Sequence, residues 1–520
     1  MPALDILAVL ARKGPRRPAL IDDRAGGRLT RLDFDGLNRE VNRLANALLA
    51  LGVQPNDRIV WCGPNSIGVV RMMHAARKIG AAAVPLNYRL TAEEAAYVVD
   101  DCDARVVYAD AELRELVERI RASCRGVQDW LIFDGEPGPG LLDAEALLAE
   151  ASDQEPPAAG GESEPAATIT YTSGTTGKPK GAVRRGLGDR EQVRRMVELI
   201  GYGADDVYLT TGPLYHSGPG GFMLLGQMLG QSVVIQRRFD PEDWLRLVDR
   251  HRVTSTFAAP TPIRLVCNLP AEVKARYARD SMKRMVANAA PWSQALKEAY
   301  LADFPEDSLW EVYGSTELGV NTILEPRDQR RKRGSCGKPA PTVELKLFGE
   351  NGEEIDQPNV PGELFVRSKT VFDTYYKAHE KYEEDRRGAF HTVGDIAYFD
   401  EEGYFFICDR KKDMIISGGM NIYPAEIEAA LELHPRILDV AVFGIPSDEW
   451  GESVHAVIVP RAGQTLAREE VGAFARKHLA GYKIPRSISF AEEIPRTGSG
   501  KILKRVLREP YWTGRGSGVL

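Results

Sequence analysis

A short β-rich run, Arg58 to Cys62, is followed by a helical stretch over Val69 to Ile79 and then by AAAVPL. This strand-helix-strand rhythm predicts a parallel sheet covered by helices. The rhythm has a helical prelude: Leu37, Val41, Leu44, Ala45, Leu48 and Leu49 recur at helical spacing, and Gly52 stands where a C-terminal capping glycine would. Strand-like VVIQ (Val233 to Gln236), STFAA (Ser255 to Ala259) and ELKLF (Glu344 to Phe348) extend the same α/β architecture, without an internal repeat. A chain of 520 residues exceeds one ordinary core and is expected to fold as several packed subdomains.

Composition excludes more than it specifies. With 43% hydrophobic and 27% charged residues the chain is neither disordered nor membrane-embedded in character. A net charge of -7 leaves no broad basic surface for nucleic acid, and the run Arg330 to Arg333 is too short to make one; it is expected to be a solvated loop. The cysteines (Cys62, Cys102, Cys124, Cys267, Cys336, Cys408) form no CxxC pair, which argues against a disulfide framework or structural zinc and for a reducing cytoplasm. The first residues lack a secretory pattern, and no stretch approaches a membrane span.

The segment Ala151 to Pro165 is rich in Pro, Gly and acids and is expected to be an exposed connection. It leads into YTSGTTGKPKG (Tyr171 to Gly181), where three glycines, four hydroxyl side chains and two lysines share one loop after the strand-like ATITY. Glycines let backbone N–H groups approach phosphate oxygens, hydroxyls donate further bonds, and lysine supplies positive charge. The spacing is not that of the P-loop, because Gly174 and Gly177 are too close and Pro179 follows Lys178.

TSGTTGKPKG resembles the signature loop of the adenylate-forming superfamily, which includes acyl-CoA synthetases, firefly-type luciferases and nonribosomal adenylation domains. Further motifs of that family follow in its expected order, so the resemblance runs from the N-terminal helical segment to Lys501. It implies a large N-terminal AMP-binding domain of several subdomains (1–411) and a small mobile α/β lid (412–520), with the boundary at about Lys412. It also implies a nucleotide site built from Thr172, Ser173, Gly174, Thr175, Thr176, Gly177, Lys178 and Lys180 of the first loop. VYGSTELG is similar to a second core motif, in which Tyr313 stacks on adenine beside Gly314, Thr316 contacts phosphate and Glu317 helps hold Mg2+. One carboxylate plus a triphosphate is a sufficient site for that hard, water-retaining ion. NAAPW places Ala289, Ala290 and Pro291 against the adenine, and HTVGDIAYFDEEGYFFICDRKKD assigns the ribose to Asp395 and Arg410. Val393 separates Thr392 from Gly394, a departure from the common TGD form that leaves the threonine without an assigned role.

The same resemblance makes Lys412 the hinge, lines a pantetheine passage with Gly418 and Gly419, and makes Lys501 of PRTGSGKILKR the catalytic cation offsetting the repulsion between carboxylate and α-phosphate. In PLYHSGPGG, His216 is a candidate for orienting the substrate carboxylate, and Gly220, Gly221, Phe222 and Gly319 are candidates for the acyl pocket. The tail from Pro510 is expected to be mobile.

The implied reaction joins an apolar carboxylic acid, fatty or sterol-like, to coenzyme A at the expense of ATP, through an acyl-adenylate. Rival readings are an enzyme that loads a carrier protein or stops at the adenylate, an aryl-CoA ligase, and, from another class, a non-catalytic nucleotide- or acyl-binding protein. Retention of Glu317, Asp395, Arg410 and Lys501 disfavours the last, and neither HExxH nor GxSxG occurs. The partners implied are the small acid and coenzyme A, with no nucleic acid; a homodimer is compatible with them.

Overall fold

The computed structural model describes residues 5–157, 167–172, 178–186, 188–290, 292–496 and 502–513. Among them, the strands form four sheets. In the first, Pro18–Asp23, Ser232–Ile235, Val207–Thr210, Ser255–Ala258, Arg284–Ala287 and Leu309–Ser315 lie parallel, with antiparallel Gly319–Leu324 beyond. In the second, Ala167–Thr172, Ala82–Leu86, Arg58–Cys62, Ala104–Asp110 and Asp129–Phe133 run parallel, and Lys180–Arg185 returns antiparallel. One apolar cluster draws on both sheets, through Ile59, Trp61 and Tyr108 of the second and Val233, Phe257 and Val312 of the first.

The helix Phe34–Ala50 shows how the sequence dictates this packing. Asp33 accepts from Gly36 N at 2.8 Å and satisfies an end donor, and Leu37, Val41, Leu44, Ala45 and Leu48 are all fully buried in the shared cluster. Gly52 follows with φ +82°, a conformation that suits a residue without Cβ. Truncating Leu48 to Ala would cost about 2 to 5 kcal/mol, the range for a buried leucine.

A third, antiparallel sheet contains Glu344–Phe348, Gly362–Arg367, Asp395–Phe399 and Phe405–Arg410. The fourth holds Ile415–Ser417, Met420–Ile422, Ile437–Ser447, Gly451–Pro460 and Ser487–Phe490. It has its own apolar core of Ile415, Ile427, Val442, Ala456 and Val471, capped by helices Pro424–Glu432 and Arg468–His478.

One expectation needs correction, and two, the exposed connection and the solvated basic run, hold with added contacts. The connection after Ala151 is pinned in its first part: Asn46 donates to Ser152 O and Gln154 O, Asn42 to Asp153 O, and Asn38 and Lys78 to Glu155. Polar residues on the helix Phe34–Ala50 recognise the segment's backbone, which apolar spacing does not register; 158–166 lie outside the described residues. The basic run is not merely solvated, because Arg331 pairs with Asp328 and Glu402 and Lys332 with Asp400 and Glu402. Nor is Pro510 the start of a loose tail: the helix Lys504–Trp512 runs through it, with Trp512 Nε1 donating to Gly444 O at 3.2 Å. Packing of the helix end against the sheet outweighs the local cost of proline.

Candidate active site

The glycine-rich loop is anchored at both ends, although Ser173, Gly174, Thr175, Thr176 and Gly177 lie outside the described residues. Thr172 and Lys180 face each other across an antiparallel ladder. Tyr171 below them donates to Asp101 Oδ2 at 2.5 Å, and the Lys178 ammonium sits 5.2 Å from the Tyr97 ring centre. Thr172 Oγ1 donates to Glu317 Oε1 at 3.0 Å, which binds this loop to the second core motif across two sheets. Tyr375 adds a hydroxyl to the same oxygen at 3.4 Å, and burial together with Glu317 pushes its phenol pKa upward.

Glu317 and Thr316 occupy the turn between the paired strands Leu309–Ser315 and Gly319–Leu324. A Cβ at Gly314 would lie 2.0 Å from Gly319 O, so the two strands close here only because Gly314 lacks one. Thr316 Oγ1 lies 2.8 Å from Ser217 Oγ, at the start of the helix Ser217–Met228. Behind the turn, Arg184 donates to Thr316 O at 2.8 Å and to Thr370 O. Burial lowers the Arg184 pKa, and Asp373 and Glu317 oppose that shift.

The ribose candidates meet as expected. Asp395 and Arg410 are directly paired in antiparallel strands, and Arg410 Nε lies 3.2 Å from Asp395 Oδ1. Burial works against the Arg410 charge, but Asp395 and Asp413 hold its pKa above the ordinary value. The Tyr313 hydroxyl donates to the other carboxylate oxygen. Burial and Asp395 both raise the Tyr313 pKa, so the phenol stays protonated as donor. Thr392 accepts from Gly394 N at 2.9 Å and donates to Glu363, which gives it a role in the turn before Asp395. Ala289 has φ +71° beside Asn288, whose side chain donates to Val312 O; Ala290 is half-buried and Pro291 lies outside the described residues. A non-glycine residue at positive φ is strained, and it stands beside the strand Leu309–Ser315, to which Asn288 bonds at Val312 O.

Around the helix Ser217–Met228, the Phe222 and Phe257 ring centres are 5.1 Å apart. A Cβ at Gly220 would strike Leu214 O at 2.6 Å, whereas one at Gly221 would meet nothing within 4 Å. Gly220 is therefore a packing glycine, and Gly221 faces open space. His216 precedes the helix with its ring 4.4 Å from that of Tyr215. Gly319, at φ +76°, has Thr370 Oγ1 2.7 Å from the position a Cβ would take.

Lys412 is exposed, and Gly418 and Gly419 are not bonded into the Tyr313–Glu317–Asp395 cluster. Gly418 packs against Trp450 at φ +57°, and Gly419 is open to solvent. Lys501 lies outside the described residues. A cavity of about 1010 Å3 borders Lys180 together with Arg58, Tyr376, Lys377 and Lys381, but none of Tyr313, Glu317, Asp395 or Arg410 lines it. Sequence reasoning missed Arg184, Ser217, Thr370 and Tyr375; proximity to a motif hinted at Arg184 and Ser217 alone.

The family model described as AMP-binding enzyme matches residues 7–376, and that of the AMP-binding enzyme C-terminal domain matches 426–501. The chain belongs to the AMP-binding enzyme family. Its motifs are thus those of the adenylate-forming superfamily, and its class is that of the AMP-forming carboxylate–CoA ligases. It is similar to a feruloyl-CoA synthase of Amycolatopsis sp, 35% identical over 96% of this chain and 97% of the relative. It is also 32% identical to a long-chain-fatty-acid–CoA ligase of Mycobacterium tuberculosis over the same shares. Among solved structures it is similar to the o-succinylbenzoate coenzyme A synthetase of Bacillus subtilis in complex with ATP and magnesium ion. That likeness has a TM-score of 0.84 at 27% identity and covers 97% of this chain and 99% of the other. Among the described residues, no helix is long and apolar enough to cross a membrane.

Proposed function

We propose that the protein activates an apolar carboxylic acid with ATP and transfers its acyl group to coenzyme A, within the acyl- and aryl-CoA ligase activity to which its relatives point. The observation that carries the reading is the convergence of Thr172, Glu317, Tyr313, Asp395 and Arg410, contributed by three different sheets, at one place. In the first step a carboxylate oxygen attacks the α-phosphorus as the bond to pyrophosphate breaks. In the second, the coenzyme A sulfur attacks the acyl carbon, AMP departs, and the thiol proton is lost.

Tyr313 would present its ring to adenine while Asp395 accepts from the ribose hydroxyls and Arg410 steadies that carboxylate. Thr316 would donate to phosphate. The oxygen donors at the Glu317 turn fit a hard cation, and Glu317 is the residue that would hold Mg2+, which when bound supplies charge neutralisation to the triphosphate. Lys501 would supply the cation for the first transition state from a C-terminal unit, 412–520, that turns on Lys412 and later presents Gly418 and Gly419 to the thiol. The apolar acid is supported by Phe222, Phe257 and the open space at Gly221. The free cysteines fit a cytoplasmic setting.

The test is incubation of the protein with Mg-ATP and a panel of fatty, sterol-like and aryl acids, with and without coenzyme A, followed by mass analysis of pyrophosphate, AMP and the acyl product. Pyrophosphate with an acyl-CoA supports the reading and names the acid. An adenylate that persists in the presence of coenzyme A would replace it with a carrier-loading or adenylate-terminating enzyme.

A further inference from the structure

Arg184 lies on the strand Lys180–Arg185, which returns from the glycine-rich loop, and its guanidinium serves two chain segments remote from it in sequence. It donates to Thr316 O at 2.8 Å and to Thr370 O, and Glu317 O lies 3.5 Å from the nitrogen that serves Thr316. Among the described residues no carboxylate is in ion-pair contact with it, so a partly buried cation is held by backbone carbonyls. Burying a charge is costly unless hydrogen bonds replace its water, and a planar fork of donors suits two carbonyls at once. Side chains alternate along a strand, so Arg184 shares the face of Ala182, which packs with Phe372 and Tyr375. Residues 370–375 also grip the Glu317 turn directly: Phe372 N donates to Glu317 O at 2.7 Å, and the Tyr375 hydroxyl reaches Glu317 Oε1. Arg184 extends that grip to Thr316.

We propose that Arg184 is a positioning residue for the triphosphate and Mg2+ end of the nucleotide site. By bridging Thr316 O and Thr370 O it fixes the backbone of the turn from which the Thr316 hydroxyl and the Glu317 carboxylate project. The inference rests on the ligase reading, in which Thr316 and Glu317 meet phosphate and metal while Tyr313 and Asp395 meet the nucleoside. Among the described residues Arg184 makes no bond to Tyr313, Asp395 or Arg410, so its loss bears on one end of the site and spares the other. A guanidinium that only supported the fold would affect both ends alike.

Calorimetric titrations read the two ends separately: adenosine reports the nucleoside end, and the gain in ATP affinity on adding Mg2+ reports the other. In Arg184→Met that gain should shrink by about tenfold, the scale of one lost hydrogen bond to a charged group, with adenosine affinity kept within about twofold. Pyrophosphate release with an accepted acid should slow by about tenfold to a hundredfold, the scale of a small misplacement. Arg184→Lys keeps the charge but not the planar fork, and should show the same pattern more weakly. Equal losses of adenosine affinity and of the Mg2+-dependent gain, full recovery by lysine, or an unchanged gain in a variant that melts like the wild type would each overturn the inference alone. A wild-type protein that forms no adenylate with any acid of the panel would remove the ligase reading, and this inference with it.

Discussion

The Tyr313 hydroxyl donates to Asp395 Oδ2 at 2.5 Å while Arg410 holds Oδ1, so the carboxylate proposed to take the ribose is oriented before any nucleotide arrives. Its charge matters more to ATP than either of its holders. Asp395→Asn should raise the KM for ATP by about tenfold to a hundredfold, since hydrogen bonds to charged groups contribute roughly 1.5 to 3 kcal/mol each. Tyr313→Phe keeps the ring and should change that KM by less than about threefold. Steady-state kinetics at saturating acid and coenzyme A compares them, and the idea fails if the phenylalanine variant is the more damaged.

Glu317 receives two hydroxyls on one oxygen, an arrangement that fixes its rotamer without charge neutralisation. Glu317→Gln should retain the fold and require about ten times more Mg2+ for half-maximal pyrophosphate release, the scale of one lost charged interaction. Titrating Mg2+ at fixed ATP, alongside a melting curve, separates a metal effect from a folding defect. An unchanged Mg2+ requirement would remove Glu317 from the metal site.

Gly221 faces open space, whereas Gly220 is closed off by Leu214 O. Gly221→Leu should therefore fold normally and lower kcat/KM for the bulkiest accepted acids by about tenfold or more, as each misfit methylene costs roughly 1 to 3 kcal/mol. Small acids should be spared. A uniform loss across the panel would place Gly221 outside the acyl path.

Acid should weaken the fold through His74, whose ring lies 2.8 Å from Gln227 across the helices Ile67–Lys78 and Ser217–Met228. Burial, then Arg77, pushes its pKa down to about 4, and Gln227 and Asp5 resist only in part. A depressed histidine pKa means the unfolded chain takes up the proton first. The stabilisation is thus whole above about pH 6.5 and is lost as pH falls towards 4, by an amount on the order of 3 kcal/mol. Urea unfolding of wild type and His74→Gln at pH 7 and pH 4.5 should show the smaller pH effect in the variant; equal slopes would contradict it.

How much of this could be read from the sequence depends on the distance between partners. Asp395 and Arg410 fall in one contiguous motif, and a hairpin brings them together, so their meeting was legible in advance. The helix Phe34–Ala50 was equally plain, because its apolar spacing and the Gly52 that follows it are local. Arg184 was not: its partners Thr316 and Thr370 lie far along the chain, and only the docking of one sheet's edge on another's turn makes them neighbours. Tyr375 belongs with it, since its approach to Glu317 comes through pairing of Thr374–Tyr375 with Lys180–Arg185. Pro510 misled for the opposite reason, as a local breaker was overruled by remote packing.

The bond from Thr172 to Glu317 also bears on how the protein is made. Synthesis delivers the glycine-rich loop long before the turn that steadies it, and the strand carrying Arg410 emerges later still. A partly synthesised chain can bury apolar surface in its early sheet, but it owns neither the Glu317 carboxylate held by Thr172 nor the Asp395–Arg410 pair. On the proposed reading, the full set of contacts to ATP completes only after the strand carrying Arg410 has been made.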